Sequence, residues 1–124
     1  MSKTIAIVGA SSDRSKFGNK AVRAYLAEGW TVYPVNRAGG RIEGLDALTR
    51  LAEVDVDLDR ISVYLPPRVL LKVLPEIAAA GAAEVWLNPG SFDDAVLDTA
   101  ADLELPVHAA CSIVDIGRSP SEFS

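Results

Sequence analysis

Short apolar runs and helical periodicities alternate along this chain. Thr4–Val8 (TIAIV) is apolar and β-branched and ends at Gly9. Thr31–Val35 (TVYPV), residues 61–65 (ISVYL), Glu84–Leu87 (EVWL) and residues 106–109 (PVHA) have the same character. Continuous apolar runs of this length predict strands covered on both faces, as in a parallel sheet. Between them apolar residues recur at helical spacing. Ala21, Val22, Tyr25 and Leu26 lead to Gly29, and Val69, Leu70, Val73, Leu74 and Ile77 lead to Gly81. A third set, Val96, Leu97, Ala100 and Leu103, follows Ser91. Ser91 with Asp94 three residues on predicts a capping arrangement. Pro66 and Pro67 open the second helix, where a missing N–H costs nothing. Pro75 lies inside it and predicts a kink or a later start.

Residues 36–53 carry no clear period. Ala38-Gly39-Gly40 marks a loop, and residues 45–52 read as a short helix. The tail from Gly117 (GRSPSEFS) is expected to fray. Strand–helix alternation with right-handed crossovers predicts a single Rossmann-like α/β domain over residues 1–124, with 117–124 a flexible tail. Its doubly wound parallel sheet would have about five strands in the order 3-2-1-4-5. Ligands of such sheets bind beyond the carboxyl ends of the strands, where the order reverses.

Composition changes this picture little, and charge narrows it. The 124 residues are 49% hydrophobic and 23% charged, with a formal net charge of −5. That length suits one domain, with a core that needs no staples. The acidic balance argues against nucleic acid as a partner, since phosphate-tracking proteins present a basic face. The single cysteine, Cys111, excludes a disulfide within the chain and suits a reducing, cytoplasmic compartment. No secretory-signal pattern or membrane-length apolar run occurs, so no membrane partner is expected. Small open-edged sheets leave room for a homodimer or another protein partner.

Candidate chemistry gathers at the strand ends. After the first strand comes Gly9-Ala10-Ser11-Ser12-Asp13-Arg14-Ser15-Lys16-Phe17-Gly18. Gly9 allows a tight turn and close approach of a phosphate, and the next helix points its N–H groups and dipole at that space. Ser11 and Ser12 add hydroxyl donors, and Lys16 a cation. The dinucleotide fingerprint is absent: Ser11 stands where a second glycine belongs, and no third follows at the usual spacing. The second strand ends in Asn36-Arg37, not in the acidic residue that holds the ribose of NAD. Arg37 instead favours a phosphorylated ribose, which leaves NADP or coenzyme A (CoA). Arg37 and Arg41 bracket a glycine loop, and guanidinium groups grip phosphate oxygens bidentately. Leu65-Pro66-Pro67 offers a rigid apolar wall for a base. Asn88 and Ser91, after the fourth strand, are further candidates, with capping the stronger role for Ser91.

Catalytic residues are not expected. His108 is the lone histidine and lies in an apolar strand, no metal-ligand spacing appears, and Asp93-Asp94 suit a helix N-terminus. Cys111 near a thiol cofactor suggests a reversible mixed disulfide with CoA.

The stretches IAIVGASSDRSKFGNK, YPVNRAGGRIEG, VYLPP, VWLNPG and CSIVDI, in that order, resemble the small stand-alone CoA-binding proteins of bacteria. These are similar to the CoA-binding domain of the succinyl-CoA synthetase α subunit. The resemblance runs from residue 4 to about residue 116. It implies CoA as ligand, with Gly9, Ala10, Ser11 and Ser12 at the phosphates. Asn36, Arg37 and Arg41 would meet the phosphorylated ribose and pyrophosphate, and Leu65 and Pro66 the adenine. The family's basic residue and proline beside the cysteine are replaced here by Ala110 and Ser112. The synthetase's phosphohistidine machinery lies in another domain, so ligase activity does not follow. The expectation is therefore a module that binds CoA or an acyl-CoA without catalysis. A minimal NADP-binding oxidoreductase is the alternative, and an interaction scaffold a third.

Overall fold

The computed structural model describes residues 3–124, so Met1 and Ser2 of the expected domain lie outside the described residues. Five parallel strands form the sheet: β1 (Thr4–Val8), β2 (Thr31–Val35), β5 (Arg60–Val63), β6 (Glu84–Leu87) and β7 (Val107–His108). A two-stranded hairpin, β3 (Arg41–Ile42) with β4 (Leu45–Asp46), stands apart. The helices are α1 (Phe17–Ala27), α2 (Pro67–Ala80), α3 (Asp94–Asp102) and the short α4 (Ser112–Asp115).

Alternation along the strands builds a core on each face, because successive side chains point oppositely. Ala6, Val8, Ile61, Val63, Val85 and Leu87 pack with Leu70, Leu74 and Ile77 of α2 and Val96 of α3. On the other face Ile5, Ile7 and Val32 meet Ala21, Val22 and Tyr25 of α1 and Ile113 of α4. The expected doubly wound parallel α/β class is what forms.

The strand order is a correction. The sheet runs β2-β1-β5-β6-β7, which among the five sheet strands is 2-1-3-4-5 rather than 3-2-1-4-5. The cause lies in the irregular stretch after β2. Leu48 bridges Val35 in parallel, donating its amide to the Pro34 carbonyl and accepting from the Asn36 amide. The outer edge of β2 is thereby occupied, and the next full strand, β5, takes the free side of β1. The switch point therefore falls at β1, flanked by β2 and β5.

Residues 45–52 are not a helix. Ile42 pairs with Leu45 across a two-residue turn in which Glu43 and Gly44 both have positive φ, 48° and 81°. This is the turn whose twist matches a hairpin. A single 3-10 turn follows at Leu51–Glu53. Ser91 does not cap α3. Asp93 does, accepting from the Val96 amide at 2.9 Å, while the buried Ser91 hydroxyl donates to the Val63 carbonyl. α2 continues through Pro75 without a break; that residue sits on the exposed side, where the lost N–H faces water.

The tail, expected to be flexible, is folded back on α1. Ser119 and Glu122 cap a 3-10 turn at Pro120–Phe123. Arg118 pairs with Glu28 and Glu122, and the Arg23 guanidinium bonds the Phe123 carbonyl and lies over its ring.

Candidate functional site

The carboxyl ends of β1, β2 and β5 open into a crevice of about 570 Å³. Its apolar part comes from Val8 and Val35 at the strand ends, Leu51 of the 3-10 turn, Leu65, and Val69 and Val73 of α2. Its polar rim holds Ser11, Lys16, Asn36, Arg37, Thr49, Arg50 and Glu76. The volume lies within the roughly 300–1,000 Å³ of small-molecule sites, which combine an apolar lining with a few placed polar groups.

The turn after β1 is built by close backbone approach. Gly9 has φ +92°, and a Cβ there would lie 2.4 Å from the Tyr64 carbonyl oxygen. A Cβ on Gly18 would lie 2.2 Å from the Gly9 carbonyl oxygen. Gly18 thus lets α1 pack against the end of β1, the task of the third glycine in the dinucleotide fingerprint. A longer turn displaces it from the usual spacing, which hid it.

The amides of Gly9 and Ala10 both donate to the Val35 carbonyl at 3.2 Å and are not available to a ligand. Those of Ser11 and Ser12 meet no acceptor among the described residues. The Ser11 hydroxyl accepts from the Asp13 amide, and its carbonyl accepts from Asn19. Asn19, wholly buried, also donates to Glu43 and accepts from Arg23, tying the turn to the hairpin and to α1. Nothing in the sequence marks Asn19 for this task. Asp13 accepts from the amide and hydroxyl of Ser15, and the Ser15 hydroxyl holds the carboxyl below its usual range.

The sequence candidates divide. Gly9, Ala10, Ser11, Lys16, Asn36, Arg37 and Leu65 line the crevice together. Ser12, Pro66, Arg41 and Asn88 do not. The Asn36 side chain donates to the Ala10 carbonyl and accepts from the Ala38 amide, each at 2.8 Å, so it mainly ties β2 to β1. Pro66 precedes α2, and its carbonyl accepts from the amides of Val69 and Leu70. Arg41 pairs with Asp46 at 2.9 Å and donates to the Gly44 carbonyl, within its own hairpin.

Asn88 is buried behind the site. It donates to the Ser62 hydroxyl and the Val63 carbonyl and accepts from the Ser112 amide. Ser62 and Ser112 share a hydrogen bond at 2.7 Å, so this network anchors the segment after Cys111 to the sheet. Arg60 braces the other end of that segment through Asp115. Cys111 is half-buried beside the cluster that includes Tyr64 and does not line the crevice. Tyr64 does line it, and burial pushes its hydroxyl well above the usual range. His108 is exposed and stacks on Trp86 with ring centroids 4.6 Å apart, away from the crevice.

Thr49, Arg50 and Leu51 were missed because their stretch reads as a helix with no chemical motif. Val69 and Val73 were legible only as helix core. They stand four residues apart on the α2 stripe, at its margin beyond the buried Leu70, Leu74 and Ile77. None of the described residues belongs to a helix long and apolar enough to cross a membrane.

Comparison with known proteins agrees with the fold. The family model described as a CoA binding domain matches residues 3–117. An ADP-forming acetate–CoA ligase of Methanocaldococcus jannaschii is 29% identical over 92 residues, 74% of this chain but 13% of the ligase. The uncharacterized protein YneT of Bacillus subtilis is 28% identical over 93 residues, 75% of this chain and 69% of YneT. The solved structure of a conserved hypothetical protein from Pyrococcus furiosus superposes with a TM-score of 0.82 at 30% identity, covering 93% of this chain and 99% of that one. The chain thus spans only a small part of the ligase, but the family model covers nearly all of its own length, and the chain belongs to the CoA binding domain family.

Proposed function

We propose that the crevice binds coenzyme A or an acyl-CoA and that this domain holds the cofactor without catalysing a reaction of its own. The observation that carries the reading is the pairing of an apolar slot with a cationic rim at the β1 switch point. Val35, Leu51, Leu65, Val69 and Val73 suit a flat base, and Lys16, Arg37 and the free amide of Ser11 suit phosphates. Membership of the family supports CoA over NADP, and the lack of an acidic residue at the end of β2 disfavours NAD. A lone half-buried thiol suits a reducing cytoplasm.

Calorimetry with CoA, acetyl-CoA, NAD and NADP tests this. The expected result is micromolar or tighter binding of CoA and no binding of the nicotinamide nucleotides. Binding of NADP without CoA overturns it.

A further inference from the structure

We infer that Arg50, oriented by Glu76, makes the crevice selective for a phosphorylated ribose. This deepens the CoA reading and rests on it. In the sequence the second arginine at the binding edge is Arg41. In the fold Arg41 is spent on Asp46 and the Gly44 carbonyl and lies outside the crevice. Arg50 lines it instead, entering from the turn that precedes Leu51–Glu53.

Three features suit Arg50 to an arriving phosphate. Its backbone is fixed, because one Glu53 oxygen accepts from the Thr49 amide, the Thr49 hydroxyl and the Arg50 amide. Its guanidinium is aimed, because Nη2 donates to Glu76 at 3.0 Å, and Nε and Nη1 donate to no other group among the described residues. A planar fork with free N–H groups binds phosphate bidentately, and holding it in place lowers the ordering cost.

The third feature is the placement of the acid. The other Glu76 oxygen accepts from the Ala52 amide, so the carboxylate is held at the wall from two sides. Its side chain is 25% exposed against 69% for Arg50, so a ligand at the mouth meets the cation first. Arg37, which follows β2, lines the same crevice and makes no ion pair among the described residues. A base seated between Val35 and Leu51 places its ribose at this rim, and a phosphate on that ribose then reaches the Arg37 and Arg50 side.

The test compares CoA with dephospho-CoA, which differ only by the ribose phosphate, by calorimetry on the wild-type chain and three variants. The wild type is expected to prefer CoA by about tenfold or more, the scale of one charge-assisted contact. Arg50→Gln should bring that preference near parity by weakening CoA and leaving dephospho-CoA almost unchanged. Arg50→Lys keeps the charge without the fork and should retain part of the preference. Arg41→Gln should leave both affinities unchanged. A wild type that binds both nucleotides equally overturns the inference, as does an Arg50→Gln variant that loses both in the same proportion; either result leaves CoA binding intact. A wild type that binds neither nucleotide overturns the CoA reading itself.

Discussion

At the residue scale, glycine and asparagine do more to shape this site than its cations do. Gly18 has an ordinary φ, so its requirement is purely the space that α1 needs against the Gly9 carbonyl. Gly18→Ala is expected to lower stability by about 1–3 kcal/mol, the usual cost of overpacking, measured by urea denaturation. It should also weaken CoA binding, because the turn amides move with the helix. Asn88 separates structure from binding in the opposite way. Asn88→Ala leaves the Ser112 amide and the Ser62 hydroxyl short of a buried partner and should cost about 1–3 kcal/mol. Its CoA affinity should remain that of the wild type, because the side chain lies behind the crevice wall. An affinity loss larger than the stability loss would return Asn88 to the ligand site.

The hairpin and the 3-10 turn between β2 and β5 make the element scale decisive. Leu48, between them, takes the outer edge of β2 at Val35, β5 pairs on the other side of β1, and the chain that continues from Leu48 carries Thr49, Arg50 and Leu51 into the crevice. Glu53 holds the turn, and the Thr49 hydroxyl is the main reason its carboxyl sits below its ordinary pKa. A lowered folded-state value means the clamp contributes fully above the unfolded pKa of about 4.3 and is lost as pH falls through the folded value. Hydrogen exchange at the Thr49 and Arg50 amides should show strong protection at neutral pH that fades only on further acidification. In Glu53→Gln the protection should be weak and nearly independent of pH. Equal protection in both proteins across the acid range would show that the carboxylate does not hold the turn.

For the whole molecule, the docked tail closes the face of the sheet that α1 and α4 cover. Phe123 packs on that cluster and under Arg23, which also holds the Arg14 carbonyl in the turn between β1 and α1. Removal of residues 118–124 should lower stability by about 1–3 kcal/mol through lost apolar burial and the cation–π contact. The melting temperature of the truncated chain is the readout, and an unchanged value would mean that the tail contributes nothing. Addition of CoA at about a hundred times its Kd should restore about 2.7 kcal/mol of stability to either form if the crevice is intact.

The alternating apolar runs determined the class of fold, because only strands buried on both faces and helices with one apolar stripe satisfy that pattern. They also placed Gly9, Ser11, Lys16, Asn36, Arg37 and Leu65 at one edge, since residues following parallel strands share an end of the sheet. Tertiary structure decided what local pattern does not encode. Pairing of Leu48 with β2 set the strand order, and backbone contacts at Tyr64 and Gly9 gave Gly9 and Gly18 their purpose. Long-range hydrogen bonds turned Asn88 inward and held Arg41 in its hairpin. Such contacts depend on which segments become neighbours, and that is settled by edges and closure of the sheet rather than by the spacing of residues along the chain.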